Sequence, residues 1–482
     1  MSTNVEDFMR NCEQAAQKIQ FHVKQSDFIQ ITSHIDADGI TAASIIGKAV
    51  YRIGGYFNLR IVKQLDEKLV NQLSLMKCKV YVFTDIGSGY LDILEKLHGS
   101  TIIVLDHHEP MDRRFANLIH VNPHLHKIDG AREISGAGVS YFVAKKISEE
   151  NIDQSPLAIV GALGDLQDKN KKRSLQGLNQ IIVDDAVKTG LVSVASDLLF
   201  YGRETRPIHK AVASTMNPFI PGLSGEEDKC LGFFVNLGIP LKSDDRWRTM
   251  ADLNLEEKQK IFSQITMHLT SHGFSGGFVL NLLGATYTLN SEDKWTPLRD
   301  AREFSSTLNA CGKMGKPGVG ISLCLGERGV TMDEAQNILN EYRKKIAQTI
   351  SLLLETKDRI RELENIYVIK GEDIVDENML SPITTIIATS GVCDPTKPVI
   401  ATTRTKEGEI KISARISDTL VERGVSIGLI MQIAAEKSAG KGGGHDVAAG
   451  ATIPGNEEEN FILAVEELTK EKLQGGKAES KN

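Results

Sequence analysis

The sequence predicts an α/β protein. Its N-terminal unit would carry a five-stranded, mainly parallel sheet, followed by a mixed helical insertion and a C-terminal α/β unit. Three observations lead there. Up to about residue 195, β-rich apolar runs alternate with helical patterns, as in strands joined by crossover helices. Beyond that point the periodicity changes to a mixed segment and a Gly-rich block, LRDAREFSSTLNACGKMGKPGVGISLCLG. A long amphipathic stretch, Met332–Leu363, then leads into a second alternation of strands and helices.

Composition narrows the function classes. With 482 residues the chain exceeds one ordinary domain, and 41% hydrophobic residues allow real cores. The natural divisions are 1–195, 196–330, a connecting helix at 331–364, 365–470, and a polar tail at 471–482 expected to be disordered. No apolar run approaches the roughly 18 residues of a bilayer span, which argues against a membrane partner. The N-terminus lacks a basic region followed by an apolar core, so a cytoplasmic location is expected. Six cysteines without a CxxC pair disfavour a zinc ribbon or a disulfide scaffold. A net charge of −7 disfavours a protein basic over its whole surface, so any nucleic-acid path is a local groove.

In order, strands are expected at 28–33, 58–62, 80–84, 102–105 and 118–121, with helices at 41–52 and 67–75 between them. Ligands in open parallel sheets sit beyond the carboxyl ends of the strands. The first strand runs into His34-Ile35-Asp36-Ala37-Asp38-Gly39, the third into Asp85, and the fourth into Asp106-His107-His108. The helix-like SPLAIVGAL ends at Gly164-Asp165. Four segments therefore bring carboxylate or imidazole to one rim.

Two like charges about 4 Å apart repel by roughly 4 kcal/mol at an effective dielectric near 20, so such a cluster needs cations or protons. Mixed Asp and His donors suit two divalent ions, manganese or magnesium. A pair of such ions serves in-line displacement at phosphorus. Taken singly, Asp38 reads as a helix N-cap and Asp85 as a turn former. The joint pattern is what points to phosphoester chemistry.

These motifs resemble the four motifs of the DHH phosphoesterase superfamily. Gly442-Gly443-Gly444-His445 resembles the GGGH motif of the DHH-associated domain, and residues 298–313 are similar to archaeal RecJ exonucleases, some of which associate with the GINS replication complex. The resemblance implies that His34 and Asp36 serve one metal, Asp38, His107 and Asp165 the other, and Asp85 bridges them. Asp106 would support the site and His108 would face the scissile phosphate. The C-terminal domain would face the metals across a cleft. The implied activity is manganese-dependent hydrolysis of single-stranded DNA, 5′ to 3′, in replication or repair. Two alternatives are a phosphodiesterase for nano-RNA or cyclic dinucleotides, and a replication scaffold.

Substrate contacts are expected at three places. Amides of Gly442, Gly443 and Gly444 could approach a phosphate, with His445 beside them; a flexible linker is the competing reading. Arg415, supported by Ser413, matches a family phosphate contact, against a solvated strand arginine. Lys171, Lys172 and Arg173 form either a guiding lip for a single strand or a solvated face. Ser135-Gly136-Ala137-Gly138 offers a helix N-terminus either to a phosphate or to ordinary capping. Trp247, Trp295 and Tyr287 are expected to be buried.

Overall fold

The computed structural model of the chain describes residues 3–215, 220–271 and 279–479. They divide into two compact units near residue 340. The first begins with α1 (Thr3–Lys24), β1 (Ile29–His34), α2 (Ala37–Arg52), β2 (Phe57–Val62), α3 (Glu67–Leu75) and β3 (Val80–Thr84). It continues through α4 (Leu91–Leu94), β4 (Thr101–Leu105), β5 (Leu118–Val121), α5 (Gly136–Ile147), α6 (Ser155–Gly164) and α7 (Leu178–Lys188).

All five strands are parallel, in the order β2-β1-β3-β4-β5. Residues Val80–Thr84 of β3 are buried throughout, as a strand covered on both faces requires. Because β1 connects outward to β2 while β3 lies on its other side, the strand order reverses between β1 and β3. That switch point is where an open sheet leaves a crevice for ligands.

Helices α2, α5 and α6 pack on one another. Glycine permits the contact: a Cβ on Gly161 of α6 would stand 2.5 Å from Asp38 Oδ1 and 2.5 Å from the Ala137 Cβ.

The insertion belongs to this first unit. Strand β6 (Val192–Leu198) leaves the sheet region and pairs antiparallel with β9 (Leu283–Leu289). Between them lie α8 (Ile208–Ala213), α9 (Glu227–Asn236), the hairpin β7–β8 (Lys242–Ser243, Arg246–Trp247) and α10 (Leu255–Ser271). Helix α11 (Ala301–Lys313) returns to pack on α6 and α2, and α12 (Pro317–Cys324) packs on α2. Tyr287 is buried, as expected, whereas Trp247 and Trp295 are 39% and 48% exposed. Cations account for both: Lys242 sits over Trp247 and Arg246 over Trp295, so the rings carry charged neighbours that favour water.

The long helix α13 covers Val330–Glu355 and stops short of the expected Leu363. Asp358 takes a left-handed conformation (φ 64°), which no helix continues through, and β10 (Ile360–Glu362) follows. The second unit then adds β11 (Tyr367–Lys370), α14 (Leu380–Thr389), β12 (Val399–Arg404), β13 (Ile410–Arg415), α15 (Asp418–Glu422), α16 (Ile427–Lys437), β14 (Lys441–Gly444), β15 (Ala448–Ile453) and α17 (Glu458–Glu479). Its sheet is mixed, in the order β10-β11-β12-β13-β15-β14.

The tail expected to be disordered continues α17 as far as Glu479, and 480–482 lie outside the described residues. Phe461, Ile462 and Val465 anchor the helix in the core, after which each added residue costs little to propagate. Among the described residues, no helix is long and apolar enough to cross a membrane.

Replacing Gly161 by Ala should destabilise the protein by roughly 1–3 kcal/mol, because overpacking outweighs the ~1 kcal/mol that alanine gains in a helix. Gly232 of α9 has open space at its Cβ position, so Gly232→Ala should be neutral or stabilising. Thermal melts that rank the two variants the other way would refute this packing.

Candidate metal centre

The site forms at the carboxyl ends of β1, β3 and β4, at the start of α5 and at the end of α6. Asp36 is the N-cap of α2: its carboxylate accepts from Gly39 N at 3.0 Å and meets His34 Nδ1 at 2.8 Å. The sequence had suggested Asp38 for that capping role. Asp38 instead lies in the first turn, and its carboxylate accepts from Gly136 N (2.7 Å) and Ala137 N (3.0 Å). The N-terminus of α5 thus holds a carboxylate of the protein itself, while Ser135 caps it by accepting from Gly138 N.

Asp85 has no such support. It is buried, takes a left-handed backbone conformation (φ 55°), and neither carboxylate oxygen accepts a hydrogen bond. Burial, with Asp38 and Asp36 nearby, pushes its pKa well above the ordinary range. A Cβ on Gly136 would stand 2.6 Å from the Asp85 Cβ, so glycine is what lets α5 begin this close.

His107 stands among three carboxylates, with Nε2 at 3.3 Å from Asp85, 3.7 Å from Asp38 and 3.8 Å from Asp165. Its Nδ1 faces the Gly130 carbonyl at 2.7 Å, which fixes the tautomer and turns Nε2 toward the acids. Burial lowers its pKa, but Asp165, Asp38 and Asp106 prevail and hold it up to about 9. Asp165 is raised, first by burial and then by Asp38 and Asp36, against the opposing pull of His107.

Asp106 accepts from Ser88 N and His107 N, each at 2.8 Å, and its Oδ1 lies 2.8 Å from His108 Nδ1. Although burial pushes it up, His108 and these donors hold it well below the carboxylate range. Asp106 in turn keeps His108 up at about 9, so the half-exposed imidazole carries a positive charge at neutral pH.

Three overlapping groups offer ligand atoms within 4.8 Å of one another: His34, Asp36 and Asp85; Asp38, His107 and Asp165; and Asp85, Asp106, His107 and His108. Asp85 links the first group to the surroundings of the second, since it touches both His34 and His107. An orphaned buried carboxylate among oxygen and imidazole donors is what divalent ions of the manganese or magnesium type would satisfy.

Some supporting residues carried no signal in the sequence. Gln167 Nε2 donates to Asp165 Oδ2 at 3.0 Å and reaches the Gly130 carbonyl, while Asn179 donates to its Oε1. Asn309 of α11 accepts from Ala37 N at 2.9 Å, pinning the first residue of α2 between Asp36 and Asp38. Lys313, at the end of the same helix, is lowered by burial and feels the charges of Asp36 and Lys63. A basic residue in LNACGK was visible in the sequence, but its approach to Asp36 required the fold.

The remaining predicted contacts lie as follows. Lys171 and Lys172 are exposed, whereas Arg173 turns to Asn281 Oδ1 at 2.7 Å and its carbonyl accepts from Ala285 N. Gly442, Gly443 and Gly444 are neither turn nor linker: they form the edge strand β14, paired with β15. Helix α16 leaves no room for a side chain at Gly442, where a Cβ would lie 2.6 Å from the Met431 carbonyl, whereas Gly443 has open space at that position. His445 and Asp446 follow at an exposed tip. Arg415 and Ser413 sit on β13, partly and fully buried.

Sheet order, switch-point site and donor set describe an α/β protein with a carboxylate and imidazole cluster that could hold metal ions. The chain belongs to the DHH family. Residues 28–164 match the DHH family N-terminal domain, 200–283 the DHH-CID domain and 374–471 the DHHA1 domain. An uncharacterized protein of Methanocaldococcus jannaschii is 32% identical over 92% of this chain and 94% of its own length. The single-stranded-DNA-specific exonuclease RecJ of Bacillus subtilis is 26% identical over 36% of this chain and 24% of its own.

Among solved structures, RecJ of Thermus thermophilus in complex with Mn2+ matches with a TM-score of 0.56 at 17% identity, covering 96% of this chain. The chain spans 55% of that protein. CDC45 of Entamoeba histolytica matches with a TM-score of 0.62 at 14% identity, over 96% of this chain and 99% of that one.

A metal ligand must be deprotonated, so Mn2+ binding at pH 7 should release protons, that of His107 included. Affinity should rise with pH toward about 9. Without the ion, the stability that raised His107 confers is complete below its ordinary value of 6.5 and is lost as pH climbs through about 9. Calorimetry in two buffers of different ionisation enthalpy tests the first point and melts in EDTA the second. Proton-neutral binding would contradict the assignment.

Proposed function

We propose that this chain is a cytoplasmic, metal-dependent exonuclease that hydrolyses phosphodiester bonds of single-stranded DNA, 5′ to 3′, in replication or repair. The observation that carries the reading is the buried Asp85 carboxylate, without a hydrogen bond, between two groups of metal-competent donors. The intact donor set and the similarity to a single-stranded-DNA-specific exonuclease support it.

In this reading His34 and Asp36 hold one divalent ion, Asp38, His107 and Asp165 a second, and Asp85 both. When bound, such ions polarise a phosphoryl oxygen and lower the pKa of water, the two requirements of hydrolysis at phosphorus. The protein supplies the rest. Asp106 orients His108 and keeps it cationic, so that it offers charge to the developing negative charge of the scissile phosphate. Lys313 adds a second cation near Asp36. Lys171 and Lys172 guide the strand while Arg173 anchors their loop to Asn281. In the second unit, the amides of Gly442–Gly444, with His445 beside them, and Arg415 with Ser413 hold backbone phosphates.

A replication-scaffold role beside catalysis, with a GINS-type partner, is favoured by one observation: residues 200–283 match the DHH-CID domain in a chain whose fold resembles CDC45. The two roles are compatible, since the first unit brings its metal-competent residues together.

Digestion of single-stranded DNA, duplex DNA and RNA, each labelled at either end, with Mn2+ and with EDTA, tests the activity. Stepwise loss from the 5′ end of single strands in Mn2+ alone is expected. No hydrolysis of any of the three polymers would overturn the proposal in favour of the small-substrate or scaffold reading. Asp85→Ala should lower the rate by more than about 100-fold, beyond what loss of an outer-sphere partner costs. His108→Ala should lower kcat by roughly 100-fold yet keep the rise in Tm on adding Mn2+. Equal loss of both properties in the two variants would contradict their separate roles.

Replacing Lys171 and Lys172 by Ala should weaken single-strand binding and flatten its dependence on salt, by about 0.7 in log–log slope for each phosphate no longer neutralised. Fluorescence anisotropy at several salt concentrations gives the slope, and an unchanged slope would return both lysines to a solvated face.

A further inference from the structure

Arg415 is held differently from several arginines of this chain. Arg52 pairs with Asp153, Arg203 with Asp197, Arg248 with Glu257 and Arg404 with Glu372. Arg415 closes β13 with a guanidinium that is partly buried yet meets neutral oxygens. Its Nε donates to Thr385 Oγ1 at 2.8 Å, Nη2 to Ser381 Oγ at 2.6 Å, and Nη1 to the Ala414 carbonyl at 2.7 Å and to Ser413 Oγ at 3.3 Å. Among the described residues no carboxylate forms an ion pair with it, and burial lowers its pKa to about 10 with no acid opposing.

Ser381 and Thr385 stand one turn apart on α14, so a single helix face presents both hydroxyls. The Thr385 hydroxyl donates to the Ser381 carbonyl at 3.0 Å, which commits its hydrogen and leaves its lone pairs to the arginine. The guanidinium is therefore oriented on both edges while its charge stays uncompensated. A partly buried cation without a counter-ion is costly, and an anionic ligand removes that cost.

We propose that Ser381 and Thr385 are positioning residues: they form a neutral clamp that aims Arg415 and reserves its charge for a phosphate group of the nucleic acid. This rests on the reading of Arg415 as a phosphate contact. Carboxylates at the same two positions would orient the side chain as well but cancel the charge that binds the ligand. A merely structural arginine would be better served by such an acid.

The contrast defines the experiment, on the full-length chain with fluorescein-labelled single-stranded DNA in EDTA to prevent turnover. Oligonucleotides carrying or lacking a terminal phosphate at each end show whether the bound group is terminal or internal. Ser381→Asp should raise the Tm by pairing the buried cation, yet weaken oligonucleotide binding about 10-fold and lower the log–log salt slope by about 0.7, the share of one phosphate. Arg415→Ala should produce the same loss of affinity and slope. Thr385→Val should weaken binding several-fold and Thr385→Ser should restore it.

Stabilisation by Ser381→Asp with unchanged affinity and slope would overturn the clamp while leaving the Arg415 contact standing, provided Arg415→Ala still weakens binding. Should Arg415→Ala leave affinity and slope unchanged, the phosphate reading itself fails, and the clamp with it. If Ser381→Asp does not fold, the Thr385→Val and Thr385→Ser pair decides, and equal affinity in both refutes the proposal.

Discussion

Uncompensated negative charge at the end of a parallel sheet is the constraint on which the first unit depends. Each acid of the rim finds a different partial remedy. Asp36 takes a backbone amide and His34, Asp38 takes the first two amides of α5, and Asp106 takes Ser88 N and His108. Asp85 takes no hydrogen bond. The packing around it follows from these requirements. The start of α5 must reach Asp38, so Gly136 gives way to Asp85, and α6 must pass close behind, so Gly161 gives way to Asp38. The left-handed backbone at Asp85 belongs to the same compression, a local strain that only the surrounding packing can sustain.

The second unit carries the opposite deficiency. Arg415 is surrounded by hydroxyls and a carbonyl where Arg203 and Arg248 have acids. One unit thus lacks cations and the other lacks an anion. Divalent metal and phosphate are the two components of a phosphodiester reaction that a protein chain does not itself provide. In the proposed function, those are the charges each unit would draw from outside the chain.

Much of this was legible in the sequence because strand ends and local motifs have strong signatures. The strands at 80–84 and 118–121 fall where apolar runs break at Asp85 and Asn122, and the helix at 67–75 begins where Asp66 caps it. The rim residues were legible for the same reason, each lying directly after a predicted element. What escaped was chemistry without a period. Gln167 and Asn309 act through hydrogen bonds to partners far along the chain or around a turn, and an amide side chain in a helix or loop carries no mark of such bonds. The strand form of the glycine triplet was not legible, because glycine carries no β propensity to mark it. The helix above it approaches Gly442, through the Met431 carbonyl and the Ala435 side chain, while Gly444 meets Ala448 and Ala449 of the paired strand. The exposed tryptophans were misjudged because burial is the usual fate of indole, and the neighbouring Lys242 and Arg246 alter that balance.

The glycine strand also has a cost for the free protein. β14 borders the second sheet with four residues, of which Lys441 alone bears a side chain. Soluble proteins ordinarily blunt such a border with charges, prolines or bulges, because unprotected main chain recruits further strands. Here the lysine is a lone gatekeeper at one end. Whatever advantage bare amides give in touching a ligand, the same four residues leave this margin of the sheet with a single charged side chain to discourage further strand pairing.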